Sequence, residues 1–240
     1  MLPAVCSAMT ADETLKKIDE SRSFGDEFAF TMKLSSFKSD KEVDAYELSG
    51  YVSLDEKKQS SSLIYFSKPR EVEGRKMLMK GGDVWMHFPK TRNIIRLTPL
   101  QLLLGQVANG DIARISFSAD YTAAFDQKSE TDSTLTLKLT VNEKSQGTTY
   151  SRVMLNVKKN NLQLIDGDFY STGGKLLKRV KYKGYKKMLN KDFSSIIEVH
   201  DGLSETSYTI MEYLSVVKKN IPSQYFRSEY LQRFHPEPVN

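Results

Sequence analysis

The chain has 240 residues, 39% of them hydrophobic and 27% charged, so it can bury a sizeable core in one large domain or two small ones. Its 35 basic and 30 acidic residues are interspersed, and the net charge of +5 comes without a basic arm. This pattern argues against nucleic-acid binding. No apolar run approaches the roughly 18–20 residues that cross a bilayer.

The first eight residues, MLPAVCSA, place small side chains at Ala4, Cys6 and Ala8. This spacing resembles the cleavage end of a secretory signal peptide, although a charged start and a full apolar stretch are missing. We interpret residues 1–8 as a signal-peptide remnant or a disordered tail, and we expect the protein to be exported. Because Cys6 is the single cysteine, no disulfide can form within the chain.

Three segments carry helix signals. Thr10 to Glu13 form a capping box, which predicts a first helix over residues 11–22. Thr98-Pro99 combines a cap residue with a proline at the first helical position, which predicts a short helix over Leu100 to Gln106. Ser223 is expected to open a last helix, because aromatic residues follow at a spacing of four, at Phe226, Tyr230 and Phe234.

The rest of the chain shows the period-two alternation of strands that are buried on one face. The clearest example is Leu135, Leu137, Leu139 and Val141, which alternate with threonine and lysine. Short turn clusters such as Gly81-Gly82-Asp83 separate these segments and indicate antiparallel hairpins. The other alternating runs start at Phe28, Leu48, Val84, Val153, Leu162 and Thr206.

About ten or eleven such strands twist too much to lie flat in one sheet. We therefore predict a mainly β, α+β fold, in which one strongly curved antiparallel sheet carries the few helices on its concave side. With no linker or repeat in the sequence, residues 9–240 are expected to form a single domain. Few helices fill such an interior, so a residual apolar cavity is a second expectation.

The sequence holds few candidates for catalysis. His87, His200 and His235 lack the spacing of a metal site, and no Gly-x-Ser-x-Gly motif is present. Asp166-Gly167-Asp168 is interpreted as a structural turn or bulge rather than a cation site. We accordingly expect no metal, no cofactor, no catalytic residue and no enzymatic activity; turnover of an acyl ester that depends on His87 is the opposing hypothesis.

The basic run from Lys175 to Lys187 places Arg179, Lys181 and Lys183 on one face of a strand, opposite Val180. A solvated outer face is one interpretation. The other is a docking patch for an anionic membrane surface or an acidic partner.

Several segments resemble, in order and spacing, the outer-membrane lipoprotein-sorting family of the LolA-like type. The resemblance spans roughly residues 28–234. The matching segments are Trp85 with Pro89, Ile94-Ile95-Arg96-Leu97, Ser118 to Thr122, Arg152 to Val157, the hairpin Asp168 to Lys178, and Ile221-Pro222 through Tyr225-Phe226 to Tyr230-Leu231.

The resemblance implies a half-barrel of about eleven strands capped by helices, a periplasmic location, and an apolar cavity that takes acyl chains. It implies a carrier of lipoproteins or other lipids towards the outer membrane, with an inner-membrane transporter as donor and an outer-membrane acceptor, and without catalytic residues. A lipid- or protein-sensing accessory module on the same fold, acting with a membrane transporter or regulator, is the alternative. We expect a monomer that contacts membrane surfaces transiently.

The residues expected to line the cavity are the inward members of the alternating strands, and three leucines are expected to act as a lid. The cavity set comprises Phe28, Phe30, Met32, Leu48, Val52, Val84, Met86, Phe88, Leu135, Leu137, Val153 and Leu155, and the lid comprises Leu102, Leu103 and Leu104. Ordinary core packing is the competing interpretation for each of them.

Overall fold

The structure, a computed structural model, describes residues 9–57, 59–113, 116–143, 145, 148–204 and 206–239. The expectations about residues 1–8 therefore lie outside the described residues. Two α-helices, α1 (Ala11–Arg22) and α2 (Asn109–Ala113), and short 3-10 turns at Gln127–Ser129, Ser223–Phe226 and Ser228–Tyr230 are found in this part of the chain.

The remaining elements are β-strands. In chain order they are β1 (Glu27–Lys38), β2 (Lys41–Leu54), β3 (Ser60–Lys68), β4 (Lys76–Lys80), β5 (Asp83–Phe88), β6 (Asn93–Leu97), β7 (Leu102–Leu104), β8 (Val107–Ala108), β9 (Tyr121–Phe125), β10 (Thr134–Val141), β11 (Arg152–Lys158), β12 (Leu164–Tyr170), β13 (Leu176–Met188), β14 (Lys191–Asp201) and β15 (Ser207–Lys218).

Thirteen of these strands form one antiparallel sheet in the order β6-β5-β4-β3-β2-β1-β15-β14-β13-β12-β11-β10-β9. The sheet consists of two meanders, β1 to β6 and β9 to β15, which pair through β1 and β15. Since β6 and β9 are its edges, the sheet is open. The predicted mainly β fold with a single large antiparallel sheet is confirmed, with thirteen strands where about eleven were expected.

Contacts of α2 show that the sheet curves. This five-residue helix contacts β3 and, through an ion pair between Asp111 and Lys178, also β13. Five strand spacings separate β3 from β13, which in a flat sheet amounts to about 24 Å. A helix of one and a half turns can reach both strands because the sheet wraps around it.

Strand alternation divides the buried side chains between an inner and an outer face. In β4, Met77 and Met79 join the core cluster that includes α1, whereas Leu78 joins a second cluster beneath the C-terminal segment. In β5, Met86 faces inward with Val84 and Phe88, while Trp85 belongs to the outer cluster. The predicted division of this strand is confirmed.

The capping box at Thr10 is present as predicted. The Glu13 amide donates to Thr10 Oγ1 at 3.2 Å, and the Thr10 amide donates to Glu13 Oε2 at 2.8 Å. The resulting helix, Ala11–Arg22, has the predicted bounds and buries Leu15 and Ile18 completely.

The helix predicted over Leu100 to Gln106 is wrong. Thr98 and Pro99 begin only a single turn, in which the Gln101 amide donates to the Thr98 carbonyl at 3.2 Å. Leu102–Leu104 then forms β7 and pairs with β8. Gly105, at φ 51°, forms the tight turn between these strands, a conformation that favours a hairpin over a continuing helix.

The last predicted helix is also wrong, both in form and in place. Arg227, at φ −118° and ψ 130°, is extended and divides the segment into two 3-10 turns. Phe226 and Phe234 pack on the outer face of the sheet with Tyr51, not on the inner face with α1. The aromatic side chains spaced four apart share a buried apolar surface, and an irregular backbone can form such a surface as well as a helix can.

Candidate functional site

The inner face of the sheet brings together all twelve residues predicted to line a cavity, from strands β1, β2, β5, β10 and β11. Ten of them are buried, and Phe88 and Leu135 are half-buried against the same cluster. They belong to one cluster of packed side chains, which also includes Leu15 and Ile18 of α1. They therefore form part of a continuous apolar surface, and α1 covers the region of it next to β9 and β14.

Helix α1 lies on this surface through a narrow apolar stripe. Ala11, Leu15 and Ile18, spaced three and four residues apart, are its buried hydrophobic residues. The helix contacts β9 at one edge of the sheet and β14 further in. Its other faces carry charged residues and lie in solvent.

Asp19 holds the middle of α1 to the loop before β9. Its carboxylate accepts hydrogen bonds from Ser116 Oγ at 2.9 Å, from the Phe117 amide at 2.9 Å and from the Ser118 amide at 2.6 Å. A single buried side chain therefore fixes the loop that continues into β9. Sequence reasoning missed Asp19, because its partners lie 97 to 99 positions away.

Both ends of α1 are also held by polar contacts. Near the N-terminus, Asp12 Oδ1 accepts from the Ala123 amide of β9 at 2.6 Å. Near the C-terminus, Lys191 Nζ donates to the Glu20 and Ser23 carbonyls, each at 2.6 Å. A lysine at this end also complements the helix dipole.

Two small cavities lie against the C-terminal end of α1. One of about 70 Å³ is lined by residues that include Phe117, Tyr121 and Phe169. The other, of about 40 Å³, is lined by residues that include Phe24 and Phe28. The two adjoin, since they share Arg22, Asp111, Tyr182 and Ile197 in their linings.

An ion pair lies beside these cavities. Lys178 Nζ of β13 contacts Asp111 Oδ2 of α2, with side chains 7% and 13% exposed. Tyr150 Oη donates to Asp111 Oδ1 at 2.5 Å. Burial, together with the negative charge of Asp111, raises the pKa of Tyr150 well above its ordinary value of 10.

Sequence reasoning treated Lys178 only as part of the basic run. It shares its strand parity with Val180 and Tyr182, which line the larger cavity, so alternation alone marks it as an inward-facing lysine.

A wider groove of about 450 Å³ runs beside α1. Its lining includes Lys16 and Asp19 of the helix, Leu54 of β2, Ser118 and Lys191. Most residues that line the groove have polar or charged side chains, but more of its lining surface is apolar than polar.

The three leucines predicted to form a lid differ in burial. Leu102 is 57% exposed, Leu103 is half-buried against the inner cluster, and Leu104 is 6% exposed. The β7–β8 hairpin therefore has one side on the core and one in solvent.

The predicted docking patch lies on the outer face of β13. Arg179, Lys181 and Lys183 are exposed there. Arg179 Nε lies 3.2 Å from Asp168 Oδ1, and Lys183 Nζ lies 2.7 Å from Glu198 Oε1. Neighbouring carboxylates thus neutralise part of the patch.

The catalytic candidate His87 and the cation-site candidates Asp166 and Asp168 occupy positions within the sheet. His87 is buried in β5, and the carboxylates of Asp166 and Asp168 accept from Asn156 and Arg179. Within the described residues, no group of three or more His, Cys, Asp or Glu is arranged to hold a metal ion. In the same part of the chain, no helix has the length and apolarity to cross a membrane.

A family model described as similar to an uncharacterized protein matches residues 58–233. No curated protein matches the chain. Two solved structures share its fold at low identity. A DUF1329 family protein from Desulfovibrio piger is 20% identical over 92% of this chain and 97% of its own, with a TM-score of 0.78. A putative outer membrane lipoprotein-sorting protein domain from Vibrio parahaemolyticus is 17% identical over 93% and 98%, with a TM-score of 0.75.

A third structure is a LolA superfamily protein from Nitrosomonas europaea. It is 30% identical to this chain, covers 93% of this chain and 100% of its own, and superposes with a TM-score of 0.82. Identity at this level over nearly the whole length, together with the shared open sheet, shows that the chain belongs to the LolA superfamily.

Proposed function

We propose that this protein is a periplasmic carrier that binds the acyl chains of a lipoprotein or lipid and transfers them towards the outer membrane. The observation that carries the proposal is the continuous apolar inner face, covered in part by a helix that is held largely by polar contacts. Membership of the LolA superfamily supports the same class of function.

Helix α1 has to move for an acyl chain to bind on the inner face. Ligand pockets commonly measure about 300–1,000 Å³, whereas the cavities against the C-terminal end of α1 measure about 70 and 40 Å³. Displacing α1 uncovers the inner surface at the expense of the contacts made by Leu15, Ile18 and Ala11. The hydrogen bonds of Asp12 and Asp19 are replaced by bonds to water.

Burial of an acyl chain offsets the free-energy cost of moving α1. Each buried methylene contributes about 0.8 kcal/mol, so a chain of about fifteen methylenes contributes roughly 12 kcal/mol before the cost of moving α1. That cost lowers the net affinity for the ligand. A carrier requires a moderate affinity, because an acceptor must be able to take the ligand over.

In this proposal the twelve residues of the inner cluster contact the acyl chain. The β7–β8 hairpin, with Leu102, Leu103 and Leu104, packs against β2 and α2 and acts as a lid. An inner-membrane transporter supplies the ligand and an outer-membrane acceptor receives it. Arg179, Lys181 and Lys183 make the transient contact with an anionic membrane surface. The carrier acts as a monomer without cofactor or catalysis.

Mass spectrometry of an organic extract tests the proposal. The protein is purified from the periplasm of the cells that produce it naturally, and a periplasmic protein of similar size, purified in parallel, is the control. We expect acylated molecules in the extract of this protein alone. Absence of enriched lipid, together with absence of saturable binding of a fluorescent acyl probe, would overturn it.

A further inference from the structure

We infer that Arg22 and Thr149 form a recognition point for an anionic head group inside the larger cavity at the C-terminal end of α1, so that the preferred ligand is a single-chain lipid ending in a carboxylate or phosphate. The inference rests on the proposed acyl-chain function and specifies the polar end of its ligand.

Arg22 carries a positive charge that its neighbours only partly compensate. Its Nη1 is buried, and no acceptor among the described residues lies within hydrogen-bonding distance. The Asp19 carboxylate is 3.7 Å from Nη1, but its oxygens already accept three shorter hydrogen bonds from the 116–118 loop. The Arg22 Cζ lies 4.5 Å from the centroid of the Phe117 ring, a cation–π contact that satisfies none of its N–H groups with a conventional acceptor.

Thr149 presents a second open polar group in the same cavity. It is 5% exposed, and its Oγ1 has no hydrogen-bond partner in the described part of the chain. Both Thr149 and Arg22 line the cavity of about 70 Å³. Buried donors that lack a hydrogen-bond acceptor are unfavourable, so a ligand that accepts from both groups is stabilised there.

The other charged groups of this cavity region are already paired. Asp111 accepts from Lys178, from Tyr150 and from the Ala108 amide at 2.7 Å. Asp120, a second carboxylate in the lining, accepts from Ser145 Oγ at 2.6 Å. Lys178 is therefore held by Asp111, and the open donors are those of Arg22 and Thr149. A donor pair that includes a cation selects an anionic acceptor, because charge-assisted hydrogen bonds are the stronger ones.

The volume of the cavity fits a head group but not a chain. One water needs about 10–15 Å³ of such volume, so about 70 Å³ holds a group of a few heavy atoms, the size of a carboxylate or a phosphate. The alkyl chain then extends along the inner face that α1 uncovers. This arrangement places the charged end of the ligand at Arg22, the last residue of α1, so the C-terminal end of the helix stays in place while its N-terminal part moves.

The test is a competition experiment against a neutral fluorescent acyl probe, with three ligands of equal chain length: palmitate, hexadecanol and hexadecyl phosphate. We expect the wild-type protein to bind at least one of the two anions about tenfold or more tightly than the alcohol. Arg22→Met should abolish this preference, and Thr149→Val should weaken it several-fold. Lys17→Met, which removes an exposed charge from the same helix, is the matched control and should preserve it.

The outcomes separate the two claims. Saturable binding of all three ligands with equal affinity would overturn the anion site and leave the carrier function standing. If none of the ligands displaces the probe and the probe itself does not bind, the carrier function fails. Preference for palmitate or for hexadecyl phosphate tells which head group is recognised. Should Arg22→Met not fold, Arg22→Lys and Thr149→Val decide, and an anion preference unaffected by both would contradict the proposal.

Discussion

Asp19 is a buried charge whose hydrogen-bond donors all lie on another segment. Three donors from residues 116–118 surround its carboxylate, two of them backbone amides. Hydrogen bonds to an ionised group are stronger than those between neutral groups, and amides that lose such a partner become unsatisfied. This residue therefore sets both the stability of the fold and the ease with which α1 lifts.

We predict that Asp19→Ala lowers the free energy of unfolding by about 3 kcal/mol, since charged hydrogen bonds are lost and two amides are left without an acceptor. Chemical denaturation measures this difference. Glu20→Ala, an exposed neighbour on the same helix, is the control and should change stability by less than about 0.5 kcal/mol. Equal effects of the two substitutions would show that Asp19 does not hold the helix.

His87 and Lys76 are buried next to each other on the outer face, beneath the C-terminal segment. Lys76 Nζ donates to the Leu231 carbonyl at 2.8 Å, and burial lowers its pKa. Burial, and secondly the charge of Lys76, lower the pKa of His87 below its ordinary value of 6.5. His87 Nδ1 has no hydrogen-bond partner among the described residues.

The lowered pKa of His87 predicts a loss of stability on acidification. Below pH 6.5 the unfolded chain binds a proton at this histidine before the folded protein does, so the free energy of unfolding falls as the pH decreases towards the folded-state pKa. His87→Leu removes this contribution. Relative to the wild type, we expect the variant to gain stability between pH 7 and pH 5 in denaturant titrations, and parallel pH curves would refute the argument.

At the scale of elements, periodicity identified strands well and short helices poorly. Leu135 to Val141 alternates along its whole length, and β10 spans Thr134–Val141. Thr98-Pro99 and the aromatic spacing after Ser223 are local signals that a single turn or a 3-10 turn satisfies equally well. In the region after Pro99, Gly105 lies so close to Thr209 that a β-carbon at this position would collide with the threonine hydroxyl. A contact between such distant positions cannot be predicted from neighbouring residues.

The C-terminal segment is an element of the fold rather than part of the ligand site. Phe234 is 1% exposed and contacts Tyr51 and Tyr225 with ring centroids 5.4 and 4.8 Å apart. We predict that Phe234→Ala lowers the free energy of unfolding by about 3–5 kcal/mol. Affinity for an acyl probe, measured under conditions where the variant stays folded, should not change, because the cluster is on the outer face.

Phe125→Ala provides the comparison, since Phe125 is 42% exposed at the edge strand β9. Its effect on stability should be small. If Phe234→Ala changes the affinity for the probe and Phe125→Ala does not, the outer cluster takes part in binding. This result would contradict the proposal that ligands bind on the inner face only.

Movement of α1 is the step that the proposed function needs. The Asp12 carboxylate and the Ala123 amide are 2.6 Å apart, so cysteines at these two positions, in a Cys6→Ser background, can be joined by a short thiol crosslinker. We expect the crosslinked protein to lose acyl-probe binding, and each single-cysteine protein treated in the same way to keep it. Undiminished binding after complete crosslinking would show that ligands enter without displacement of the helix.

For the molecule as a whole, one open sheet separates two apolar clusters that serve different purposes. The inward set from Phe28 to Leu155 could be predicted from alternation, because side-chain parity follows directly from strand geometry. The polar contacts that hold α1 and line the cavity could not, because Asp19, Asp111 and Lys178 meet partners from distant segments. Sequence thus indicated the apolar surface and the helix α1, but not the polar contacts that hold this helix in place.

In the proposed function a bound acyl chain lies on the inner face, and methionines are present on both faces. Met32, Met77 and Met86 belong to the inner cluster, whereas Met154, half-buried in β11, alternates with the inward residues Val153 and Leu155 and so lies on the outer face. Methyl NMR of methionine-labelled protein, titrated with a stearate that carries a spin label on its chain, measures the proximity of the chain to each face.

We predict saturable paramagnetic broadening of the Met32, Met77 and Met86 methyl signals, with the Met154 signal unaffected. Broadening of Met154 as strong as that of the inner methionines, or no saturable broadening of the inner set, would contradict the central claim that the inner face binds the acyl chain.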